Sequence, residues 1–553
     1  MTRMLLCGAS ALAIISSAPA LAQNNTSDIT QSATNSDVSV TQGGSDGTST
    51  VTQGGNNNSA TLNQSGSDNV STIVQDNGTG SSDDNNTATV TQGGSENESL
   101  VSQVNDFATA TVEQTGISNE SDVLQSGDLD VATVLQSGDD NFSDVEQSGN
   151  LKTADIEQSG EGNDSSVLQS SGLNTAIVTQ SGDENESLLT QTGTGANETN
   201  LLQSGDGNSS DIVQGGAGND AGTVAGAGVI QAGDDGEVII RQAGGLHTAG
   251  VDQQAGSSNF ASIDQGAGTG LNHDAIVIQD GDENDARVLQ RGTNQTADVA
   301  QTGFSNLANV DQGAGVGLNQ TGTVFQEGDD NEGRITQRGQ DQTGIVTQTG
   351  DSNIGLVNQG RDRTGLFDTG FGEDQFAEIE QSGDDNTAST AQLGENQSAR
   401  IEQIGSNNVG FGSFARGAEI IQGGNNGTFN DATITQISDA NGALINQQGN
   451  SLSANVTQDG VGGHAATVTQ TGAGGAVLLN ADVLQEGADN TTEITQGGSD
   501  QTADVTQLGD ENVSIISQAG SGHSATVTQN SDLNDSFITQ SGTGQTAIVT
   551  QGL

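Results

Sequence analysis

Glutamine returns every eleven residues over long stretches of the chain, and the residues before it repeat with it. Two residues before the glutamine there is almost always Val, Ile or Leu, four before it a small residue, and six before it often Asn. These positions share one parity, so a β-strand places their side chains on one face, whereas an α-helix would scatter them. The pattern predicts short strands with one inward face. The longest unbroken run has Gln at 92, 103, 114, 125, 136, 147, 158, 169, 180 and 191.

The small residue four places before each glutamine alternates between Ser and Ala from Ser49 to Ser187. The true repeat is therefore 22 residues, made of a Ser arm and an Ala arm. The alternation survives the longer gap between Gln75 and Gln92, so the extra residues there are predicted to lie in a turn. Gly, Asp and Asn follow each glutamine and are typical of turns. We predict an all-β fold, a two-arm β-solenoid of stacked strand-turn-strand coils that share one core.

The inward glutamines require an explanation, because a buried amide without a partner costs about 1–3 kcal/mol. In a stack of identical coils, each glutamine lies above and below another one. At a strand spacing of roughly 4.8 Å, each side-chain amide can donate to the next side-chain carbonyl. The sequence thus predicts glutamine ladders that fix the register, with the aliphatic residue beside them forming the apolar core.

Composition alone would indicate a disordered chain. Asp and Glu number 72 against 11 Lys and Arg, the net charge is −61, and aromatic residues make up 2% of the 553 residues. Chains of this kind usually bury too little apolar surface to fold. The strict periodicity argues against disorder, which circular dichroism would reveal by the lack of a β signal.

The first residues differ from the rest of the chain. Residues 1–22 combine a basic start, an apolar run and Ala20-Leu21-Ala22, which predicts a cleaved secretory signal peptide. The only Cys and the only Pro lie within it, so we expect a mature chain without disulfides or a lipid anchor. The predicted organisation is a signal peptide at 1–22, a solenoid at 23–358, an irregular segment at 359–435 and a second solenoid stretch at 436–553.

Residues 359–435 break the glutamine period and hold six of the twelve Phe, at 367, 371, 376, 411, 414 and 429. Arg361 and Arg363 open this segment. It is interpreted either as looped-out turns that cover a local apolar spot or as a patch that docks a partner or contacts a fibre.

Catalysis finds no support in the sequence, and no catalytic, cofactor-binding or metal-binding residue is predicted. His247, His273, His464 and His523 lie far apart, mostly in Gly-rich turns, without metal-ligand spacing, and we expect them to be solvated. The acidic charge disfavours a nucleic-acid partner. No apolar run after the signal peptide is long enough to span a membrane. The acids either keep the chain soluble before assembly or form columns that acid, salt or divalent cations neutralise.

The pattern Gln-x-Gly-x-x-Asn-x-Ala-x-x-x-Gln resembles the curlin repeat of curli-type extracellular amyloid fibres. It occurs as Gln53, Gly55, Asn58, Ala60 and Gln64, and again from Gln381 to Gln392. The resemblance implies a two-arm β-solenoid, export through a dedicated outer-membrane pore of a Gram-negative bacterium, and nucleated assembly into fibres that support biofilms. Here the repeats are unusually many, and the family's export segment after the signal peptide is not evident.

Two functions remain open at this stage. The first is a secreted structural subunit that polymerises into adhesive fibres, because the repeats continue close to both ends of the sequence and strand edges invite another chain. The second is a monomeric acidic solenoid that acts as a surface adhesin or as a ligand-binding or cation-binding rod. An ice-binding version of the rod is disfavoured, because acids and Leu interrupt the outward Thr-x-Thr pairs.

Overall fold

The computed structural model describes residues 24–76, 84–221, 228–266, 270–313, 317–360, 372–408, 417–423, 428–472 and 477–552. The chain divides into two compact units, Met1–Ala267 and Gly268–Leu553. Among the described residues every regular element is a β-strand. The predicted signal peptide lies outside the described residues.

The described residues of unit 1 form 22 strands. They are β1 Thr26–Gln31, β2 Asp37–Ser45, β3 Thr48–Gln53, β4 Ser59–Ser67, β5 Val70–Asp76, β6 Thr87–Ser95, β7 Glu98–Val104, β8 Thr109–Ile117, β9 Glu120–Gln125, β10 Val131–Asp139, β11 Phe142–Ser148, β12 Thr153–Glu161, β13 Asp164–Ser170, β14 Thr175–Gln180, β15 Glu186–Gln191, β16 Glu198–Gln203, β17 Ser209–Ala217, β18 Asp220–Ala221, β19 Val229–Gln231, β20 Glu237–Gly245, β21 Thr248–Ala255 and β22 Phe260–Gln265.

In unit 2, the part of the chain that the structure describes forms a further 25 strands. They are β23 Leu271–Asp280, β24 Asp285–Gln290, β25 Thr293–Thr302, β26 Leu307–Gln312, β27 Thr321–Glu327, β28 Glu332–Gln337, β29 Gly339–Gln340, β30 Thr343–Thr349, β31 Ile354–Gln359, β32 Gly372–Glu373, β33 Phe376–Ser382, β34 Thr387–Gln392, β35 Ser398–Ile404, β36 Ala418–Gly423, β37 Asp431–Gln436, β38 Gly442–Gln448, β39 Leu452–Gly462, β40 Ala465–Gly472, β41 Leu479–Ala488, β42 Thr491–Ser499, β43 Gln501–Gln507, β44 Val513–Ser521, β45 Ser524–Gln529, β46 Asp535–Thr543 and β47 Thr546–Gln551.

Strands of the same arm pair in parallel with the strand one coil later, which confirms the predicted two-arm β-solenoid. In unit 1, β8, β10 and β12 of the Ala arm pair without a register slip, so that Gln114, Gln136 and Gln158 lie side by side. The Ser arm does the same through β9, β11 and β13. The arms are unequal, because in this stretch the Ala-arm strands continue past the glutamine to pair the following Gly, whereas β9 ends at its glutamine.

The side chains buried in the strands are, with few exceptions, those that the sequence pattern predicted to face inward. In β10 the side chains of Ala132, Val134 and Gln136 are buried, and the residues between them are exposed or half-buried. Val, Ile and Leu two places before the glutamine provide most of the apolar surface, worth about 1.5–3 kcal/mol for each fully buried side chain. Small residues at the Ser and Ala positions leave room for the opposite sheet.

The turns contain left-handed backbone conformations, which the turn-forming residues of the sequence indicated only in general terms. The fourth residue after the glutamine has a left-handed backbone in most coils, for example Ser118 and Asp140, with φ of 56° in both. Gly116 and Gly138 precede these residues by two positions and also have positive φ. A Cβ atom on Gly116 would collide with the carbonyl oxygen of Gly138 in the next coil. Glycine is therefore required there by close stacking of the turns as well as by φ.

Extra residues in the longer gaps do not disturb the register of the flanking strands. Gln64 pairs with Gln92 and Val70 with Glu98, so the register continues across the longer gap between Gln75 and Gln92. Residues 77–83, where the extra residues of that gap were predicted to form a turn, lie outside the described residues. Gln359 pairs with Gln392, which lies 33 residues later instead of 22.

Within 359–435, the described parts contain β32 to β36 and most of β37, and their inward glutamines at 381, 392, 403 and 422 are buried. Phe376 and Phe429 are exposed. The other four Phe of the segment, together with Arg361 and Arg363, lie outside the described residues.

Four successive small-residue positions of unit 2 hold glycine, which the Ser/Ala pattern did not predict. They are Gly322, Gly333, Gly344 and Gly355, in β27, β28, β30 and β31. The two sheets pack more closely here than in most other coils of the unit. A Cβ atom on Gly333 would lie 2.7 Å from Cγ1 of Val324, so the lack of a side chain permits this approach.

Candidate functional site: the inward amide columns

The predicted glutamine ladders are present in both arms of each unit. In the Ala arm of unit 1, Nε2 of Gln136 donates to Oε1 of Gln158 at 2.9 Å, and Nε2 of Gln114 donates to Oε1 of Gln136 at 2.9 Å. The same amide of Gln136 reaches the backbone carbonyls of Glu120 at 2.9 Å and Asn141 at 3.1 Å, which lie in the opposite arm. Each buried amide is therefore satisfied and also ties the two sheets together.

The ladders have one direction. Within the columns named below, each described glutamine pair donates from the earlier coil to the later one, with Nε2 to Oε1 distances between 2.7 and 3.1 Å. In unit 1 the columns are Gln31, 53, 75, 103, 125, 147, 169, 191, 214, 242 and 265, and Gln42, 64, 92, 114, 136, 158, 180, 203, 231 and 253. In unit 2 the same chains run from Gln279 to Gln551 and from Gln290 to Gln540.

A second column is formed by the Asn six places before the glutamine. Oδ1 of Asn141 accepts the backbone N–H of Asn163 at 3.1 Å and its side-chain Nδ2–H at 3.0 Å. Nδ2 of Asn141 donates in turn to Oδ1 of Asn119 at 3.0 Å. The bonds between Asn side chains thus run toward the earlier coil, opposite to the Gln ladder, although Nδ2 of Asn141 also donates to the carbonyl of Gly160 in the later coil at 3.1 Å. Amide dipoles of opposite direction in neighbouring columns partly cancel one another.

Asp130 and Lys152 replace Asn in two consecutive coils of the Ala-arm column, and both side chains are fully buried. The backbone N–H of Lys152 donates to Oδ1 of Asp130 at 3.0 Å, and Nζ of Lys152 donates to the carbonyl of Gly172 at 3.2 Å. Burial raises the pKa of Asp130 to about 6, although the N–H and the charge of Lys152 oppose this. Burial lowers the pKa of Lys152, which the charge of Asp130 partly counteracts.

The expectation of solvated histidines is wrong. His247, His273, His464 and His523 are between 0% and 2% exposed. Each stands six residues before an inward glutamine, so it occupies the Asn column despite the glycines around it. The register could have shown this, because the same count that places Asn inward places each histidine inward.

Aspartate three places after the glutamine has a structural role that the sequence did not reveal. In unit 1, Oδ1 of Asp183 accepts the backbone N–H of Glu161 at 2.9 Å, and Oδ1 of Asp206 accepts that of Asp183 at 2.9 Å. In unit 2 the same contact recurs, for example from Asp510 to Oδ1 of Asp532 at 3.0 Å. A carboxylate that accepts a backbone N–H of the previous coil closes the turn, so part of the acidity belongs to the fold.

Other acids form an exposed or half-buried group on the outer face of the Ser arm in unit 1. Glu120, Asp122, Asp144 and Asp164 lie on β9, β11 and β13, with Asp122 directly beside Asp144. Partial burial raises the pKa of all four, and neighbouring carboxylates raise it further. Stacking therefore places like charges close together on this face.

Arginines of unit 2 hold coils together through ion pairs. Asp311 accepts Arg291 from the previous coil at 2.8 Å and Arg338 from the next coil at 2.5 Å. Arg338 is largely buried, whereas Arg400 forms a surface network with Glu378, Glu380 and Glu402.

The described ranges contain no group of three or more His, Cys, Asp or Glu side chains placed to hold a metal ion. Nor do these parts of the chain contain a helix with the length and hydrophobicity that crossing a bilayer requires.

Comparison with known families identifies the repeats. The curlin associated repeat matches residues 84–116, 118–149, 153–193, 233–266, 281–313, 383–408, 424–460 and 498–530. A comparison with curated protein sequences gave no match. The matched segments contain the inward Gln and Asn columns described above, and curlin repeats are the unit of structural amyloid subunits rather than of enzymes. The chain therefore belongs to the curlin repeat family.

Proposed function

We propose that this chain is a structural subunit of curli-like extracellular amyloid fibres that support cell adhesion and the biofilm matrix. The observation that carries the proposal is the one-directional glutamine ladder in both arms of each unit. Each coil presents glutamine Oε1 acceptors on one side and Nε2 donors on the other, so a coil of a second copy can continue every column. Backbone N–H and C=O groups at a strand edge add the main-chain hydrogen bonds of a cross-β stack.

Secretion and the partners follow from the family resemblance. The predicted signal peptide at 1–22 would direct the chain out of the cytoplasm, and a curli-type pore and nucleator would export and seed it. The Phe and Arg residues of 359–435 are proposed as a contact region for another fibre or a partner. Phe376 and Phe429, which are 38% and 65% exposed, support this proposal.

The acidic outer face supports a role for acid or divalent cations in assembly. Because the pKa of Glu120, Asp122, Asp144 and Asp164 is raised in the folded chain, these groups favour folding most below their ordinary pKa. That contribution is lost as the pH rises through the raised values. Removing the charges by protonation, or pairing them with a cation such as Ca²⁺, relieves repulsion between stacked carboxylates. Lag times that are equal with and without Ca²⁺, and equal at pH 4 and 7, would exclude this trigger.

The central experiment is to incubate the purified mature chain and follow its size and order. Fibres should form, grow faster when seeded with fragments of preformed fibres, and give diffraction reflections near 4.7 and 10 Å. The alternative function is a monomeric acidic solenoid that acts as an adhesin or a cation-binding rod. A chain with β-structure that stays monomeric in sedimentation experiments would favour this alternative and overturn the proposal.

A further inference from the structure

Asn in the inward column performs two tasks, one for its own coil and one for the next. In unit 2, Nδ2 of Asn490 donates to the carbonyl of Glu486 at 3.0 Å, within its own turn. Its Oδ1 accepts the backbone N–H of Asn512, one coil later, at 2.9 Å. Oδ1 of Asn512 likewise accepts the backbone N–H of Asn534 at 2.9 Å. The column therefore fastens the start of each strand to the coil before it.

His464 and His523 perform both tasks with their ring nitrogens. Nε2 of His464 contacts the carbonyl of Asp459 at 2.7 Å, and Nδ1 contacts the backbone N–H of Asn490 at 3.3 Å. In His523, Nε2 contacts the carbonyl of Ala519 at 3.2 Å, and Nδ1 contacts the backbone N–H of Gln545 at 3.3 Å. A carbonyl only accepts and a backbone N–H only donates, so both rings must be neutral with the proton on Nε2.

Protonation of the ring would remove the contact between Nδ1 and the backbone N–H of the next coil. A second proton on Nδ1 turns the acceptor into a donor that faces another N–H, and it places a positive charge in a buried position. Asn has no equivalent reaction in this pH range. A histidine in this column therefore makes a contact with the next coil that acid can break, whereas acid does not affect the same contact made by Asn.

The charges around the two rings differ. The carboxylates of Asp459, Asp489 and Asp510 lie near His464, and Asp439 lies in the turn of the previous coil. Near His523, Asp500 lies in the turn of the previous coil. The turns 519–522 and 541–545 contain no ionisable side chain.

We propose that His464 acts as a proton-operated clasp, which holds the coil that begins at Asn490 when the ring is neutral and releases it in mild acid. The coils fastened by Asn stay closed under the same conditions. This device concerns the opening of single coils, so it does not depend on whether the chain assembles into fibres.

The direction of the pH effect follows from burial. Burial lowers the pKa of His464 below its ordinary value near 6.5, although the carbonyl of Asp459 and the nearby carboxylates oppose this. A lowered pKa in the folded state means that the neutral ring stabilises the fold above about pH 6.5. That stabilisation is lost as the pH falls through the folded-state pKa. The exposed acids of unit 1 respond in the opposite direction, so the two effects are distinguishable.

Hydrogen exchange of the mature chain at pH 7 and pH 5, corrected for the intrinsic pH dependence of exchange, tests the clasp. In the wild type, protection of the N–H group of Asn490 should fall on the order of tenfold per pH unit as the pH falls from about 6.5 toward the lowered folded-state pKa of His464. The N–H groups of Asn512 and Asn534, which Asn fastens, provide the internal control and should change little. The histidine C2 proton shifts report the titration of each ring in the same sample.

Two variants separate the clasp from general acid loosening. H464N places the usual residue in the column, so it should fold and keep full protection at pH 5. The converse variant N512H should make the N–H of Asn534 acid-sensitive. Loss of protection that is equal in wild type and in H464N, or an equal loss in all coils, would overturn the proposal. So would a His464 ring that titrates while protection of Asn490 is unchanged.

Discussion

Single residues decide whether a coil of this solenoid is strong or weak, because each coil contributes only one residue to each column. Gln and the small residues repeat almost without change, whereas the Asn column contains other residues in many coils, and these exceptions are informative. Ala108 leaves the column without a polar group, whereas Asp130 and Lys152 put two ionisable groups into it. Nζ of Lys152 contacts the carbonyls of Asn150 and Gly172 rather than the carboxylate of Asp130, so the two charges attract without a direct ion pair. Removing both buried charges is often neutral or stabilising, whereas removing one of them is costly.

The double variant D130N/K152N should therefore be more stable than the wild type at pH 7, by about 1–4 kcal/mol in the local opening of β10 and β12. K152N alone should destabilise these strands, because it leaves a buried carboxylate without its cation. The pKa of Asp130 is raised to about 6, so its contribution to stability is full below about pH 4 and is lost as the pH rises through 6. The advantage of the double variant should thus shrink at pH 4.

Hydrogen exchange in β10 and β12 at the two pH values measures this effect. The exposed carboxylate of Asp140 offers a matched control, since D140N changes an acid in a turn without touching the column. A double variant less stable than the wild type at pH 7 would show that the pair contributes net stability.

At the scale of strands, the packing of one sheet on the other depends on the small residue four places before the glutamine. Ala and Ser set the usual separation, and the four glycines from Gly322 to Gly355 allow the sheets of unit 2 to come closer. A side chain added there must displace a neighbour in a densely packed core.

G333A should destabilise β27 and β28 by about 1–3 kcal/mol, because its methyl group would lie 2.7 Å from Cγ1 of Val324. The second substitution V324A removes that methyl neighbour, so the double variant should cost less than the sum of the two single variants. Local hydrogen exchange of both strands provides the free energies. A G333A chain as protected as the wild type would mean that the sheets separate at no cost.

The sequence predicted the strands and the ladders from residues whose roles depend on register alone. Gln136, Val134 and Ala132 share one parity, and that parity is sufficient to place them inward. The histidines were misjudged because the composition of the surrounding turn was given more weight than their place in the register. The role of the aspartates that accept a backbone N–H could not be predicted. It depends on how one turn aligns with the next, and the residue with left-handed backbone conformation in the turn sets that alignment.

At the scale of the whole chain, the composition is that of a disordered protein, but most of the polar residues recur at fixed positions of the repeat. Repetition lets each glutamine of the ladders meet an identical amide, so the 81 glycines and the excess of acids do not prevent an ordered core. The same regularity joins neighbouring coils energetically, because a bond between two glutamines is lost when either is replaced.

This energetic coupling between neighbouring coils can be measured with glutamines of unit 1. Methionine has a similar shape and no amide, so Q136M should destabilise its coil by about 1–3 kcal/mol through the partners it leaves at Gln114 and Gln158. Q158M should have a similar cost. In Q136M/Q158M the bond between the two positions is lost only once, so the double variant should cost about 0.5–1.5 kcal/mol less than the sum.

The control is Q136M/Q147M. Gln147 lies only eleven residues after Gln136, so it is nearer to Gln136 along the chain than Gln158 is. It nevertheless belongs to the Ser-arm column and makes its ladder bonds to Gln125 and Gln169. The costs of these two substitutions should therefore add. Coupling that is equal in both double variants would mean that nearness along the chain, rather than the ladder, joins the glutamines, and the column would lose its role as the element that a second copy extends.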